Sequence, residues 1–331
     1  MRSIEVKKID VFTMKPFCGN PAGIITMGDG LTTEDMHRIA AELNLAECAF
    51  VMSPNSSKSA FRVRFFTQCV ELDLSSHALI AACFGVIEDR RLPLHHGITS
   101  IQFDTRIGSV PLDIYIDVKD ESTDNIMSTD GVHITCADGN SGILRRMMIH
   151  QKRDNIQRAD IPVPDLANIL GVDKQEILGT GLPLEILTYG LRQLVIPMMH
   201  QEILLNLKPD LIKLNLLNQQ YDIQTNDIFT LEPVSQDATA FSRTFSPSIG
   251  LWEDVGSGSG TGSIAAYLIR HAVLVPGPMI IEQGNERDRL ARIFIEVGEP
   301  QGLNIPLTVG GLAVTSIVQN LKYDAGTVTM L

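Results

Sequence analysis

Glu47 stands in Asn44-Leu45-Ala46-Glu47-Cys48-Ala49-Phe50-Val51, where a helix-like pattern passes into an apolar strand. On that strand it shares a face with Ala49 and Val51 and is poorly solvated. Desolvation raises a carboxyl pKa, and a glutamate that titrates near neutrality can shuttle a proton. The blander reading is a strand-end glutamate turned toward water. His77 precedes the apolar run Ala78–Ile87. The positive dipole end of a helix starting there disfavours an imidazolium, so a neutral histidine would give or take a hydrogen bond. Capping and packing are its other uses. Asp254 precedes Gly256-Ser257-Gly258-Ser259-Gly260-Thr261-Gly262 much as Asp73 precedes Ser75-Ser76. It reads equally as an acid group or as a helix N-cap.

The glycine-rich loop matches no nucleotide motif. No Gly-Lys-Ser/Thr closes it, and Thr261 or Ser263 stands where Gly-x-Gly-x-x-Gly needs its third glycine. Neither Ser257 nor Ser259 has the flanking glycines of Gly-x-Ser-x-Gly. A flexible surface loop is one reading; the acidic pair Glu253-Asp254 before it and the apolar segment after it speak for a working loop. No metal site is expected, since there is no Cys-x-x-Cys and His95-His96 read as solvated side chains in a polar stretch. The odd set Cys18, Cys48, Cys69, Cys83 and Cys136 reads as reduced, mostly buried thiols.

These residues need elements to hold them. Residues 4–12 and 22–27 pattern as strands around the turn-rich Pro16–Pro21. Thr32 to Asp35 supply a helix cap and first turn, with Met36, Ile39, Ala40 and Leu43 at helical spacing. Strand-like runs follow at 46–52, 61–67 and 99–116. Beyond the polar stretch Lys119–Asp138 the pattern predicts helices at 164–170 and 173–178, a strand at 191–198 and a strand-rich tail from Met279. The boundary is placed at 125/126, giving halves 1–125 and 126–331, with a last strand able to return to the first half. An internal echo links the halves: FFTQCVELDLSSHALIAACFGVIE and RTFSPSIGLWEDVGSGSGTGSIAAYLIRHAVLV each run from a strand end through an acidic residue and a small polar turn into an apolar helix. Helices from about His77 and about Thr261, apolar on nearly every face, are expected inside sheets. Their N-termini, near Ser75 to His77 and Gly258 to Thr261, could hold an anion between them.

The whole chain has 331 residues with 44% hydrophobic and 20% charged side chains, the composition of a core-forming protein of about two domains. A net charge of −12 argues against nucleic acid and anionic membrane surfaces as partners. No apolar run approaches the ~18 residues of a membrane span, and the alternating N-terminus lacks a signal-peptide core, so the sequence reads as cytoplasmic.

The ordered set of motifs resembles the phenazine-biosynthesis PhzF-like family, which shares the diaminopimelate-epimerase-like fold. Its markers are Asp10-Val11-Phe12-Thr13, Phe17-x-Gly19-Asn20-Pro21-Ala22-Gly23, Asn44-Leu45-Ala46-Glu47, Arg64-x-Phe66-Thr67 and Glu71 to Ala78. Phe245-Ser246-Pro247, Gly250, Glu253-Asp254, Glu282-Gln283-Gly284 and Val309-Gly310-Gly311 continue them. The resemblance implies an α+β fold of two similar domains, each a mixed sheet wrapped around a central helix, with the active site in the interdomain cleft. It implies a cofactor-independent isomerase, a homodimer, in which Glu47, His77, Asp254 and Ser259 are catalytic. Gly19, Asn20 and Pro21 would lie near the substrate, with Ser75, Ser76, Gly258, Gly260 and Thr261 binding it. The chain departs from the family at Ser75-Ser76-His77, where Cys-Gly-His or Ala-Gly-His is usual, and at Val255 and Ser257. Ser76 adds a side chain where glycine lets backbone approach a ligand.

Ser75 also occupies the first of two positions where racemases of this fold carry opposed cysteines, and the second loop has no cysteine. A hydroxyl is too weakly acidic to replace a thiolate base. The expectation is therefore single-base proton movement by Glu47 on a small carboxylate-bearing substrate. Epimerisation or dehydration of a hydroxy or amino acid at the same place, and a non-catalytic carboxylate-binding descendant, are the alternatives.

Overall fold

The computed structural model describes residues 2–118, 131–151, 155–189, 191–285, 289–302, 305–324 and 327–330. It divides into two compact units, Met1–Ile149 with Gly310–Leu331, and His150–Val309. The expected boundary at 125/126 lies outside the described residues.

In the first unit, strands β1 (Arg2–Val11) and β2 (Asn20–Ile25) lead into helix α1 (Thr33–Leu43). Thr32 caps α1 with a reciprocal bond to Asp35, which satisfies two otherwise unpaired donors. Asn44, left-handed at φ 50°, ends the helix, and the chain re-enters the sheet with Glu47 as the first residue of β3 (Glu47–Met52). Strands β4 (Phe61–Phe66) and β5 (Glu71–Leu72) precede helix α2 (Ser76–Glu88). Then come β6 (Gly97–Thr105), β7 (Gly108–Val118), β8 (Val132–Thr135) and β9 (Ser141–Gln151). The run expected as strand over 99–116 is thus a hairpin, turned at Arg106-Ile107.

Strand β2 is antiparallel to β1 and parallel to β3; β4 is antiparallel to β3 and parallel to β6, and β6 is antiparallel to β7. This mixed sheet wraps α2, which is buried at every residue from His77 to Ile87. A helix without a polar face has to be enclosed in this way. Its C-terminal Glu88 and Asp89 oppose the helix dipole, and the buried Lys7 of β1 offsets them with bonds of 3.2 and 2.5 Å.

The second unit contains β10 (Asn155–Arg158), helices α3 (Val163–Leu170) and α4 (Gln175–Leu178), and strands β11 (Glu185–Tyr189) and β12 (Leu191–Pro197). Helices α5 (Gln201–Leu205) and α6 (Leu211–Tyr221) lead to β13 (Thr225–Thr230), β14 (Ala240–Ser246), β15 (Leu251–Asp254) and helix α7 (Gly258–Arg270). Strands β16 (Gly277–Asn285) and β17 (Arg289–Val297) follow. The pairing repeats that of the first unit: β12 parallel to β13, β13 antiparallel to β14, β14 parallel to β16, β16 antiparallel to β17. Helix α7 packs on β11, β12, β13 and β17 as the central helix here. The chain closes with β18 (Leu307–Gly311), β19 (Ala313–Asp324) and β20 (Thr327–Met330), and β19 lies antiparallel along β1. The architecture is α+β, a mixed sheet around a central helix in each unit. No helix among the described residues is long and apolar enough to cross a membrane.

Candidate active site

In the first unit the structure brings Glu47, Ser75 and His77 together. Glu47 opens β3 beside Ala22 of β2, its register partner. Its side chain is 19% exposed, yet Oε2 is sealed from solvent and makes no hydrogen bond, with His77 Nδ1 3.7 Å away. Burial pushes the Glu47 carboxyl up to about 7, and a hydrogen bond with Ser75 works against that rise. Ser75 is the N-cap of α2: its Oγ accepts from Ala78 N–H at 3.2 Å and lies 3.4 Å from His77 Nδ1. His77 is buried in the first turn, and Ser76 beside it is partly exposed. The solvent-turned reading of Glu47 is therefore set aside.

Pro21 adjoins Ala22 and so lies one residue from the partner of Glu47, with Asn20 buried behind it. Their approach is set by Gly19, whose φ is +60° and where a Cβ would stand 2.1 Å from the Val11 carbonyl oxygen. Asp10, fully buried, accepts from Phe17 N–H at 2.7 Å and holds the same loop.

In the second unit the glycine-rich segment is no surface loop. Helix α7 begins at Gly258, three residues before the expected start, and Gly258, Gly260 and Thr261 are buried. The N-cap is Ser257, not Asp254; its Oγ accepts from Gly260 N–H at 3.1 Å and lies 3.3 Å from Ser259 Oγ. Asp254 instead accepts from Gly256 N–H at 3.1 Å, while its carbonyl accepts from Gln283 Nε2 at 2.7 Å. Gln283 Oε1 in turn accepts from Ser257 N–H, so one buried amide ties Asp254 to the cap. Gln193 of β12, also fully buried, orients Ser259. With its amide placed to satisfy both ends, Oε1 accepts from Ser259 Oγ at 3.0 Å and Gly260 N–H at 3.1 Å. A Cβ on Gly260 would stand 2.4 Å from Asp227 Oδ1, which lies beneath this first turn.

Asp227 and Gln193 escaped the sequence reading, and Gln283 stood in it only as part of a family marker, with no role at the site. The available signal was a polar residue inside a short, otherwise strand-like run, and buried polar groups of this kind need partners that a single sequence does not display. Glu253 and Glu282 prove structural: Glu253 pairs with Arg243 at 2.7 Å, and Glu282 accepts from the backbone of Val234 and Ser235 and from Arg292. None of the five cysteines is in a disulfide; Cys48, Cys83 and Cys136 are buried, Cys18 partly so and Cys69 exposed. His95 is exposed as expected, but His96 has a buried Nδ1, within 4.8 Å of Cys136 Sγ and an Asp138 carboxylate oxygen. That trio is separate in sequence from both half-sites, and Asp138 is exposed with its oxygens taken by Asn140.

The same frame is found in known proteins. The chain is 28% identical over 330 residues to an uncharacterized isomerase of Clostridium acetobutylicum, covering 98% of this chain and 100% of that one. It is 28% identical over 289 residues to the trans-2,3-dihydro-3-hydroxyanthranilate isomerase of Pseudomonas aeruginosa, covering 86% of this chain and 87% of that enzyme. The crystal structure of a PhzF-family phenazine biosynthesis protein from Bacillus anthracis superposes with a TM-score of 0.80 at 24% identity, covering 98% of this chain and 100% of that one. The family model for phenazine biosynthesis-like proteins matches residues 9–318, and the chain belongs to that family of isomerases.

Proposed function

We propose that this protein isomerises a small carboxylate-bearing substrate by moving one proton with a single base, Glu47. The observation that carries the reading is the Glu47 carboxyl: sealed at Oε2, raised to about 7, and set against His77 at the start of the buried helix α2. Such a group takes a proton from a carbon activated by a neighbouring carboxylate or conjugated double bond and returns it elsewhere on the same face. His77 would steer or relay that proton. Asp254 and Ser259 would act on the same substrate, Ser259 and the first N–H groups of α7 holding its anionic end. Both helix starts are capped by serine and carry no thiol, which supports one base over a cysteine pair.

The test is deuterium uptake from heavy water by a panel of small amino, hydroxy and unsaturated carboxylates, trans-2,3-dihydro-3-hydroxyanthranilate among them, read by mass spectrometry. Uptake or isomerisation by the wild type, lost in Glu47→Gln, is expected. Rapid exchange retained by the variant would remove Glu47 from the chemistry. Binding of a carboxylate without exchange would leave the binding-only alternative.

A further inference from the structure

The second half-site holds a carboxyl that the proposed mechanism does not use. Asp227 is wholly buried in the middle of β13. Its register neighbours are Val195 on β12 and Thr244 on β14, and Thr244 is in turn the register neighbour of Asp254 on β15. Residues directly across a sheet share a face, so Asp227, Thr244 and Asp254 form one row. Thr244 Oγ1 donates to Asp227 Oδ1 at 2.7 Å, and Thr225 Oγ1 lies 3.4 Å from Oδ2. The first turn of α7 covers the row, with Gly260 pressed against the Asp227 carboxyl and Ser257 Oγ beside it. Among the described residues the charged group that acts on Asp227 is Asp254; Thr244 and Thr225 supply hydroxyls beside it, and Val195 is its register neighbour on β12.

The corresponding row of the first unit is Ala49, Phe65 and Leu72. It is apolar, so the frame itself does not call for a carboxyl at this place. A buried acid that the fold does without costs stability, and such groups gather where chemistry needs them. Burial pushes the Asp227 carboxyl up to about 7; Thr244 and Thr225 hold it down, and the charge of Asp254 raises it further.

We propose that Asp227 is a positioning residue that sets the charge of Asp254: the two carboxyls, in line across β13, β14 and β15 with Thr244 between them, take up and release protons as one coupled pair. With the proton on Asp227, Asp254 is the ionised member. Ionising both sets like charges in one row and raises the proton affinity of each. The inference rests on the reading that puts Asp254 on the substrate, but its first test does not.

That test is the infrared carboxyl band of the intact protein followed across pH in light and heavy water. The wild type should show protonated buried carboxyl near neutral pH from two groups: one component should be lost in Asp227→Asn and kept in Glu47→Gln, and the other the reverse. In Asp254→Asn the midpoint of the Asp227 component should fall by about one pH unit or more, since a like charge has gone. Thr244→Val, which keeps shape and removes a bond favouring the ionised form, should raise the midpoint, and it serves if Asp227→Asn does not fold. A midpoint unmoved in Asp254→Asn overturns the coupling, and one unmoved in Thr244→Val overturns the assignment of the band to Asp227. The second test is the pH profile of substrate deuterium exchange: Asp227→Asn should turn a two-proton limb near neutrality into a one-proton limb. An unchanged limb overturns the positioning role, because a merely structural residue would lower the rate without altering its slope. Exchange persisting in Glu47→Gln would instead sink the single-base reading and leave the infrared result for the pair standing.

Discussion

Arg64 in the first unit and Arg243 in the second hold the same post. Arg64 meets Glu71 through two bonds of 2.7 Å, and Arg243 meets Glu253 through bonds of 2.7 and 2.8 Å. Each guanidinium lies 5.0 Å from a phenylalanine ring two residues on, Phe66 or Phe245. Four residues after each glutamate comes the serine that caps the central helix, Ser75 or Ser257, and two further on a side chain touching that cap, His77 or Ser259. Chemistry is not duplicated with this scaffold. By register Glu47 corresponds to Thr225, its neighbour Ala22 to Gln193, and the apolar row Ala49–Phe65–Leu72 to Asp227–Thr244–Asp254. The repeat fixes two helix N-termini, and divergence at a few inward positions gives one unit a buried glutamate, the proposed base, and the other an acid row.

The sharpest way to break this division of labour is Glu47→Gln, which keeps shape and removes the base. Proton exchange into substrate should fall by ~10²–10⁴-fold, the range of acid–base catalysis, with the circular dichroism of the folded protein kept. If exchange survives within a few-fold, the base is not in the first unit.

The scaffold pair can be sharpened next, because its two copies differ in burial. Arg243 is 9% exposed and also donates to the carbonyls of Leu204, Leu205 and Leu207 at the end of α5, whereas Arg64 is 15% exposed and donates further to Thr33 Oγ1. Removing one partner of a buried pair strands the other charge, so Arg243→Met should cost ~3–5 kcal/mol and Arg64→Met about half that in urea unfolding. Equal costs would mean that the carbonyl bonds of Arg243 add nothing.

Much of this frame is legible from the residues, and the reason it stops is physical. The apolar run from Ala78 is visible because a helix enclosed by sheet has no polar face, and the echo around Phe66 and Phe245 because strand, acid, small turn and helix recur in order. The start of α7 was placed three residues late because glycine is a poor helix former by propensity, while here Gly260 is required by the Asp227 carboxyl pressed against it. The link between Asp254 and Asp73 also fails: Asp254, beside Thr244, holds the post that Leu72, beside Phe65, holds in the first unit, and Asp73 turns outward to Arg106 at 3.3 Å. The acid row stayed hidden because its members come from three strands and meet only across the sheet.

Stability against pH separates the two units by another route. Glu47 rises from 4.5 to about 7 and Asp227 from 3.8 to about 7. A carboxyl with a raised folded-state value contributes fully below its unfolded value, and that contribution is lost as pH climbs through the folded value. The wild type should therefore weaken between ~pH 4 and ~pH 7, with a ceiling of ~4 kcal/mol from Asp227 and ~3 kcal/mol from Glu47. Glu47→Gln and Asp227→Asn should each flatten that slope and stand ~1 kcal/mol above the wild type at about pH 8.5. A slope unchanged in Asp227→Asn would mean that the acid row ionises freely.

The smallest expected effect concerns the thiols, and it bears on whether the two helix starts could still work as a cysteine pair. Ser75 and Ser257 spend their hydroxyls on capping, and no cysteine lies in either first turn. Cys48, next to Glu47 in the chain, is buried beneath Gly23, and burial pushes it up to about 12, with the Glu47 charge adding to the rise. A thiol so raised supplies almost no thiolate near neutral pH, and thiolate is the reactive form. Iodoacetamide should therefore label the exposed Cys69 first and the half-buried Cys18 more slowly, as peptide mapping would show, with exchange activity reduced by less than about half. Fast stoichiometric loss of activity, blocked by a bound carboxylate and mapped to Cys48, would return a thiol to the chemistry and dissolve the contrast between a base in one unit and an acid row in the other.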